Sequence, residues 1–254
     1  MVRSMVRNQN AVRYLPCATI NEKAPTAIQN LAKAYHFGGF LGATQPSNWS
    51  GTWNSMLGVQ LQQGTGELTR QGTQVYMRNT LIQIQIDMKN IADNAAGIHP
   101  IHEFRLIVFK SKMKYLAGGT ADPSLSLLLN ALNEPVGHST AGINGTDLIL
   151  NKTNKRNFTI YRDQYFRMSN PQIAVDSGVQ NSHVSGFSSH YPSMKRFRLF
   201  MPHNKKCHYD EGTDVPTNYN PAYAYVIYAR SLGKNHYANS WEVNARGCTQ
   251  WSDI

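Results

Sequence analysis

The clearest alternation of apolar and polar residues lies before Lys89, where Ile82, Ile84, Ile86 and Met88 face one way and Gln83, Gln85 and Asp87 the other. Side chains on a strand alternate faces with period two, so this spacing predicts a long, half-buried β-strand. A glycine-rich basic turn, Gly64 to Gly72, precedes it. A second strand, His102 to Lys110, follows and runs into the cluster Lys110, Lys112 and Lys114. Further strands are predicted over Asn157–Met168, Met194–Met201, Ala222–Ser231 and Ser240–Gly247. In the second of these, Phe197, Leu199 and Met201 point inward and Arg196 and Arg198 outward; in the last, Trp241, Val243 and Ala245 alternate with Glu242, Asn244 and Arg246. Tyr223, Tyr225 and Ile227 oppose Ala224, Val226 and Tyr228, which predicts an internal strand covered on both faces.

Helix signals are few. Ile28, Leu31, Ala32 and Tyr35 recur at helical spacing after Pro25, predicting a short helix that ends before Gly38-Gly39. Leu125–Leu132 suggests a second. The connections Tyr115–Asp147, Asn170–Pro192 and Asn204–Pro221 are long, and connections of that length usually carry function or contacts with another chain. Strands with long loops and little helix predict an all-β protein, a single jelly-roll β-sandwich with one or two short helices. The division expected is a short basic arm with a helical or extended segment over 1–60, and the jelly roll over 61–254.

Composition adds charge. The 254 residues carry a formal net charge of +10, and a field of that sign attracts polyanions. The three cysteines, Cys17, Cys207 and Cys248, are too few and too scattered for a disulfide framework and read as structural thiols in a reducing compartment. No apolar run approaches the ~18–20 residues needed to cross a bilayer, and no h-region of a secretory signal is visible after Met1. The sequons at Asn48, Asn144, Asn151 and Asn157 therefore carry little weight.

The basic residues cluster. Lys152, Lys155, Arg156, Arg162 and Arg167 lie among Phe158, Tyr161, Tyr165 and Phe166, and Lys195, Arg196, Arg198, Lys205 and Lys206 form a second group. Cations pair phosphates, and exposed aromatic rings stack unpaired bases at roughly 1–3 kcal/mol each. The plainer reading makes Phe158 and Ile160 core and the cations a solvated face. Arg3, Arg7 and Arg13 mark an acid-free arm that suits phosphate contact. Candidate chemistry is thin: His99 with His102, and Cys207 with His208, lack a third ligand at zinc spacing. No nucleophile elbow or phosphate loop ending in Gly-Lys-Ser/Thr occurs. Acids are too sparse for a two-metal nuclease. No catalytic residue, metal site or enzymatic activity is expected.

The passage Gln63 to Arg78, the strand Arg105 to Lys110, the basic strand Lys155 to Asp163, the run Lys195-Arg196-Phe197-Arg198 and the closing strands Ala222–Arg230 and Ser240–Ile254 follow one another in a familiar order. Over Gln63–Ile254 the chain resembles the capsid proteins of small eukaryotic viruses with circular single-stranded DNA genomes, the group that includes geminiviruses and circoviruses. The resemblance implies a structural protein that assembles with copies of itself into an icosahedral shell, the smallest (T = 1) having sixty subunits. It implies a virion, assembly in the host nucleus, a host receptor, and single-stranded DNA held by Arg3, Arg7, Arg13, Lys155, Arg156, Arg162, Arg167, Arg196 and Arg198. Where many members carry a long arginine-dense arm, this chain has only Arg3, Arg7 and Arg13, so genome contact falls mainly to the sheet's inner surface. Arg70, Arg78 and the Lys110–Lys114 cluster then become candidates for genome or subunit contact. No cofactor is expected beyond counter-cations or polyamines. A non-assembling single-strand-binding or movement protein, a capsid protein of a small RNA virus and a glycan-binding sandwich are the alternatives.

Overall fold

The computed structural model describes residues 13–16, 20–23, 26–28, 33–39, 61, 63–65, 69–89, 101–112, 123–170, 191–213, 216–218, 223–232 and 240–254. Four short strands come first: β1 (Arg13–Pro16), β2 (Ile20–Lys23), β3 (Thr26–Ile28) and β4 (Lys33–Gly39). Two long ones follow, β5 (Gln74–Met88) and β6 (Ile101–Ser111). A segment of small elements comes next: α1 (Pro123–Ser126), β7 (Leu128–Leu129), β8 (Pro135–Val136), α2 (Gly145–Leu150) and β9 (Lys152–Thr153). The chain closes with β10 (Phe158–Ser169), β11 (Met194–His208), β12 (Ala224–Ser231) and β13 (Trp241–Asp253).

Pairing is antiparallel and nested. β1 and β2 pair with β13, β4 with β12, β5 with β11, and β6 with β10. An antiparallel ribbon that pairs its ends first and its middle last, then folds over itself, is a jelly roll. Cross-pairing of β13 with β5 and of β12 with β6 completes two sheets. Sheet 1 has the order β1-β13-β5-β11, with β2 also on β13; sheet 2 has the order β10-β6-β12-β4-β3.

The main core fills the space between them. Ile82, Ile84, Ile86, Phe197, Leu199, Trp241 and Val243 come from sheet 1, and Phe104, Leu106, Val108, Phe166, Tyr225 and Ile227 from sheet 2. Phe104 stacks on Phe166 at 5.3 Å and meets Trp241 edge-on at 5.1 Å. The inward alternation of β5, β11 and β13 is the one their sequences predict.

Sheet 2 is buried on its other face too. Ile107, Phe109, Phe158, Val226 and Tyr228 form a second core with Leu127, Leu128, Val136, Leu148 and Ile149. The latter five belong to residues 127–149, so the expected loop Tyr115–Asp147 is, where described, a third layer. The burial of β12 on both faces follows directly, as its sequence predicts.

Several expected elements differ. The helix after Pro25 is replaced by strands β3 and β4, because β4 pairs residue for residue with β12, from Lys33 opposite Arg230 to Gly39 opposite Ala224. Tertiary pairing overrides a short helical period there. The two sheets therefore draw strands from both sides of residue 60. The Leu125–Leu132 helix shrinks to α1, because Leu128 and Leu129 pair with β8 and β9 and the Asn130 side chain accepts from Leu132 and Glu134 N–H, turning the chain. β11 continues to His208, into the expected Asn204–Pro221 connection, and β13 runs past Gly247 to Asp253. α2 has no counterpart among the expected helices; Asn144 caps it reciprocally with Asp147, each side chain meeting the other's backbone N–H at 3.0 Å.

One buried charge fastens the third layer. Arg105 on β6 is 1 % exposed. It donates bidentately to Asp163 on β10, both bonds 2.8 Å, and to the carbonyls of Leu148, Ile149 and Asn151 at the end of α2. Removing one partner of such a network leaves the rest buried and unpaired. The substitution Arg105→Met is expected to cost roughly 3–5 kcal/mol, measured by urea unfolding with tryptophan fluorescence.

Candidate nucleic-acid interface

The outer face of sheet 1 carries rows of polar side chains, because β11, β5 and β13 lie side by side with their apolar positions turned to the core. Arg196, Gln85 and Asn244 are aligned in one row, and Arg198, Gln83 and Arg246 in the next. Residues two apart on a strand are separated by about 6.8 Å, so the rows are close neighbours. Arg196 donates through Nε to Gln85 Oε1 at 2.7 Å, and Arg246 through Nε to Gln83 Oε1 at 2.6 Å. Gln85 in turn donates through Nε2 to Asp87, at 2.7 Å from the nearer oxygen. Each glutamine thus holds a guanidinium by one nitrogen without neutralising it. The three arginines are exposed around a shallow cleft of about 530 Å³ lined also by Asn244, Gln83 and Gln85; no carboxylate lines it among the described residues.

The other predicted cations lie elsewhere. Lys155 and Arg156 sit exposed in the turn before β10. Buried Asn154 pins that turn: its side chain donates to Ser126 O at 2.9 Å and accepts from Arg156 N–H at 3.2 Å. With Lys152 and Tyr165 they border a second cleft of about 570 Å³ over sheet 2, floored by Arg105 and Asp163. Arg162 follows a bulge in β10, bonds Gln164 at 2.7 Å and lies 5.7 Å from the Phe197 ring, over the edge of the main core. Arg167 is paired with Glu103 at 2.6 Å, and Glu103 also meets Arg230 at 3.1 Å, so its charge is largely answered. Arg13 is in β1, opposite Trp251; Arg3 and Arg7 lie outside the described residues.

Of the aromatics in that stretch, Phe158 and Phe166 are core, as the plainer reading expects, while Tyr161 and Tyr165 are exposed. Tyr161 packs edge-on against Tyr223 at 4.8 Å. Tyr165, 52 % exposed, has the Arg105 guanidinium 4.9 Å from its ring centre.

Arg70 is a correction. It is fully buried and donates to the carbonyls of Leu61, Gly72, Asp210 and Thr213, with its guanidinium 4.7 Å from the Tyr209 ring centre. Carbonyls that no strand satisfies need a donor, and one long fork supplies several. It is therefore placed for neither genome nor subunit contact. Arg78 is half-buried in the bulge of β5, Lys112 donates to Lys155 O at 2.6 Å, and Lys114 lies outside the described residues. Lys110 is largely buried, and burial, with Lys205 nearby, lowers its pKa to about 8.

Lys110 belongs to a polar group at the bulge. His203 Nε2 lies 2.8 Å from Thr80 Oγ1, which lies 2.8 Å from Thr249 Oγ1. Burial, then the Lys110 charge, holds the His203 imidazole neutral down to a pKa of about 3. Burial pushes the Cys207 thiol up to about 12, an inert structural cysteine.

Sequence reasoning did not group Arg246 with Arg196 and Arg198, beside which it lines the cleft. Its outward position on β13 was legible, but its meeting with Arg196 and Arg198 depends on β13 and β11 flanking β5.

No protein-family model and no curated protein matches the chain. Solved structures do. One is a chain from Desmodium yellow mottle tymovirus, 9% identical, with a TM-score of 0.32 over 97% of this chain and 89% of that one. Another is an unassembled VP1 pentamer of Washington University polyomavirus, 8% identical, with a TM-score of 0.24 over 96% and 95% of the two chains. A third is a virus-like particle of Merkel cell polyomavirus, 8% identical, with a TM-score of 0.22 over 96% and 76%. The jelly roll is defined by the pairing pattern itself.

The His203 environment makes acid stability testable. The unfolded imidazole takes up its proton near 6.5 and the folded one only near 3, so unfolding binds a proton between those values. The stability that neutral His203 supports is present above pH 6.5 and lost as pH falls toward 3, on the order of 5 kcal/mol in full. Urea unfolding between pH 7 and 4 is expected to give a shallower loss for His203→Gln than for the natural chain.

Proposed function

We propose that this chain is the subunit of an icosahedral virus shell and that it packages single-stranded DNA against the outer face of sheet 1. The observation that carries the reading is the trio Arg196, Arg198 and Arg246, exposed on one face, with Arg196 and Arg246 oriented but not neutralised by Gln85 and Gln83. The jelly-roll pairing supports a wall-forming subunit, because closed strands leave the connections free to meet neighbouring copies around symmetry axes. β1, which begins at Arg13, is in sheet 1.

Contact in the arginine rows is with phosphate. Phe200, exposed on the same face of β11 one row beyond Arg198, offers a ring on which a base stacks without sequence preference, so binding is sequence-neutral and led by counterion release. For single strands log K falls with log salt at about 0.7 per phosphate neutralised. Replacing all three arginines with alanine is expected to lower that slope by about 2 and leave shell formation intact. Filter binding across a salt series and electron microscopy of the same samples read the two effects. Monomers at every salt and pH tried, with nucleic acid supplied, would sink the shell reading and leave a single-strand-binding protein. Nucleic acid inside shells that RNase destroys and DNase does not would make this the shell of an RNA virus.

Charge counting gives a further expectation. A sixty-copy shell of subunits at +10 carries on the order of 600 positive charges, several-fold fewer than the phosphates of a genome of a few thousand nucleotides. Purified full particles are expected to retain polyamines or divalent cations, measured by mass spectrometry; their absence contradicts the count.

A further inference from the structure

The second cleft faces away from the arginine rows. The main core lies between the sheets, sheet 1 turns its arginines to one side, and the third layer with Lys152, Lys155 and Arg156 covers the other. If the sheet 1 face holds the genome, as proposed above, this cleft is on the particle's exterior.

Its chemistry is divided in a way a nucleic-acid strand does not match. Cations stand at the rim, on a turn pinned by buried Asn154. The floor is the Arg105–Asp163 ion pair, in which each carboxylate oxygen accepts one bond from the guanidinium and keeps further lone pairs for hydroxyl donors. A phosphodiester backbone is all acceptor and supplies no such donors. One wall is the exposed ring of Tyr165 and another the side chain of Leu150, 71 % exposed. At about 570 Å³ the space is of the size small-ligand sites have.

We propose that this cleft binds an acidic sugar, a saccharide ring bearing a carboxylate or sulfate. The ring's C–H face lies on Tyr165, its hydroxyls donate to Asp163, and its acid group meets Lys155 and Arg156 in charge-assisted bonds. A ligand neutral at one end and anionic at the other satisfies floor and rim together.

The test uses the full chain and two probes, a sialylated trisaccharide and a heparin tetrasaccharide, by calorimetry and ligand-observed NMR. Saturable binding of at least one is expected, weakened at least tenfold by Tyr165→Ala and by the pair Lys155→Ala and Arg156→Ala. The triple arginine variant of sheet 1 should bind it as the natural chain does, and circular dichroism confirms that each variant folds. Binding of neither probe, or binding indifferent to those substitutions, overturns the proposal. Displacement of the sugar from the cleft by oligothymidylate also overturns it and assigns the cleft to nucleic acid. Shell formation is scored separately by microscopy, so a silent cleft leaves the shell reading standing, and sugar binding without shells removes the shell reading alone.

Discussion

Strands β6 and β12 carry apolar side chains on both faces, and such strands persist in water only between two other layers. Sheet 1 supplies one cover through the main core. The other has to come from the connection between β6 and β10, which is why that connection is built of small paired strands, two short helices and a string of buried leucines. Each fully buried leucine or phenylalanine contributes roughly 1.5–3 kcal/mol, enough in sum to hold a layer with little regular structure of its own. Arg105 then resolves a problem the layering creates. The end of α2 brings three carbonyls against a buried face, and without a donor they would be stranded. Sheet 2 is the one covered twice; among the described residues sheet 1 keeps an open outer face, and the arginines stand there.

At its far end sheet 1 changes phase. The register slips by one residue between β13 and β5, so Met77 and Thr80, three apart on β5, both face inward. β11 answers with a bulge after Pro202, in which Asn204 takes a positive φ of 48°. The row at the slip is polar, with Thr80 bonded to both His203 and Thr249, and Leu61, Val75, Met77, Cys207, Tyr209 and Trp251 form a small separate core beyond it. Arg70 closes that end by tying Leu61, Gly72 and the 210–213 turn together. The basic look of the Gly64–Gly72 turn in the sequence is therefore misleading as to binding: its arginine is a tie between loops.

What was legible in the sequence was local. The period-two runs of β5, β11 and β13 gave each strand's inward and outward residues correctly, and the two-faced run of β12 gave its central place. β3 and β4 were not legible, because Ile28, Leu31, Ala32 and Tyr35 also fit a helix and only the partner β12 decides between the two. The site was legible by halves for a similar reason. Arg196 and Arg198 stand out on one strand, but Arg246 joins them only through the order β13-β5-β11, which no single run encodes. Arg70 and Arg105 look like their exposed counterparts in sequence, since burial of a guanidinium depends on carbonyls from remote turns.

The difference between the two sheets' charges comes down to what sits on the middle strand. Across β12, β6 and β10, Glu103 stands between Arg230 and Arg167 and pairs with both. Exposed pairs of that kind contribute little to stability; what Glu103 does is offset one of the two positive charges beside it and so weaken the field that would draw an anion. Across β13, β5 and β11 the equivalent central positions are Gln83 and Gln85, which accept from the same guanidinium nitrogen but carry no charge. The first carboxylate on that strand, Asp87, is one row further on, where it is bonded by Gln85. Amide in place of acid keeps Arg196 and Arg246 ordered and leaves their charge to the solvent side, so a face built like any other sheet surface presents an uncompensated field to a polyanion.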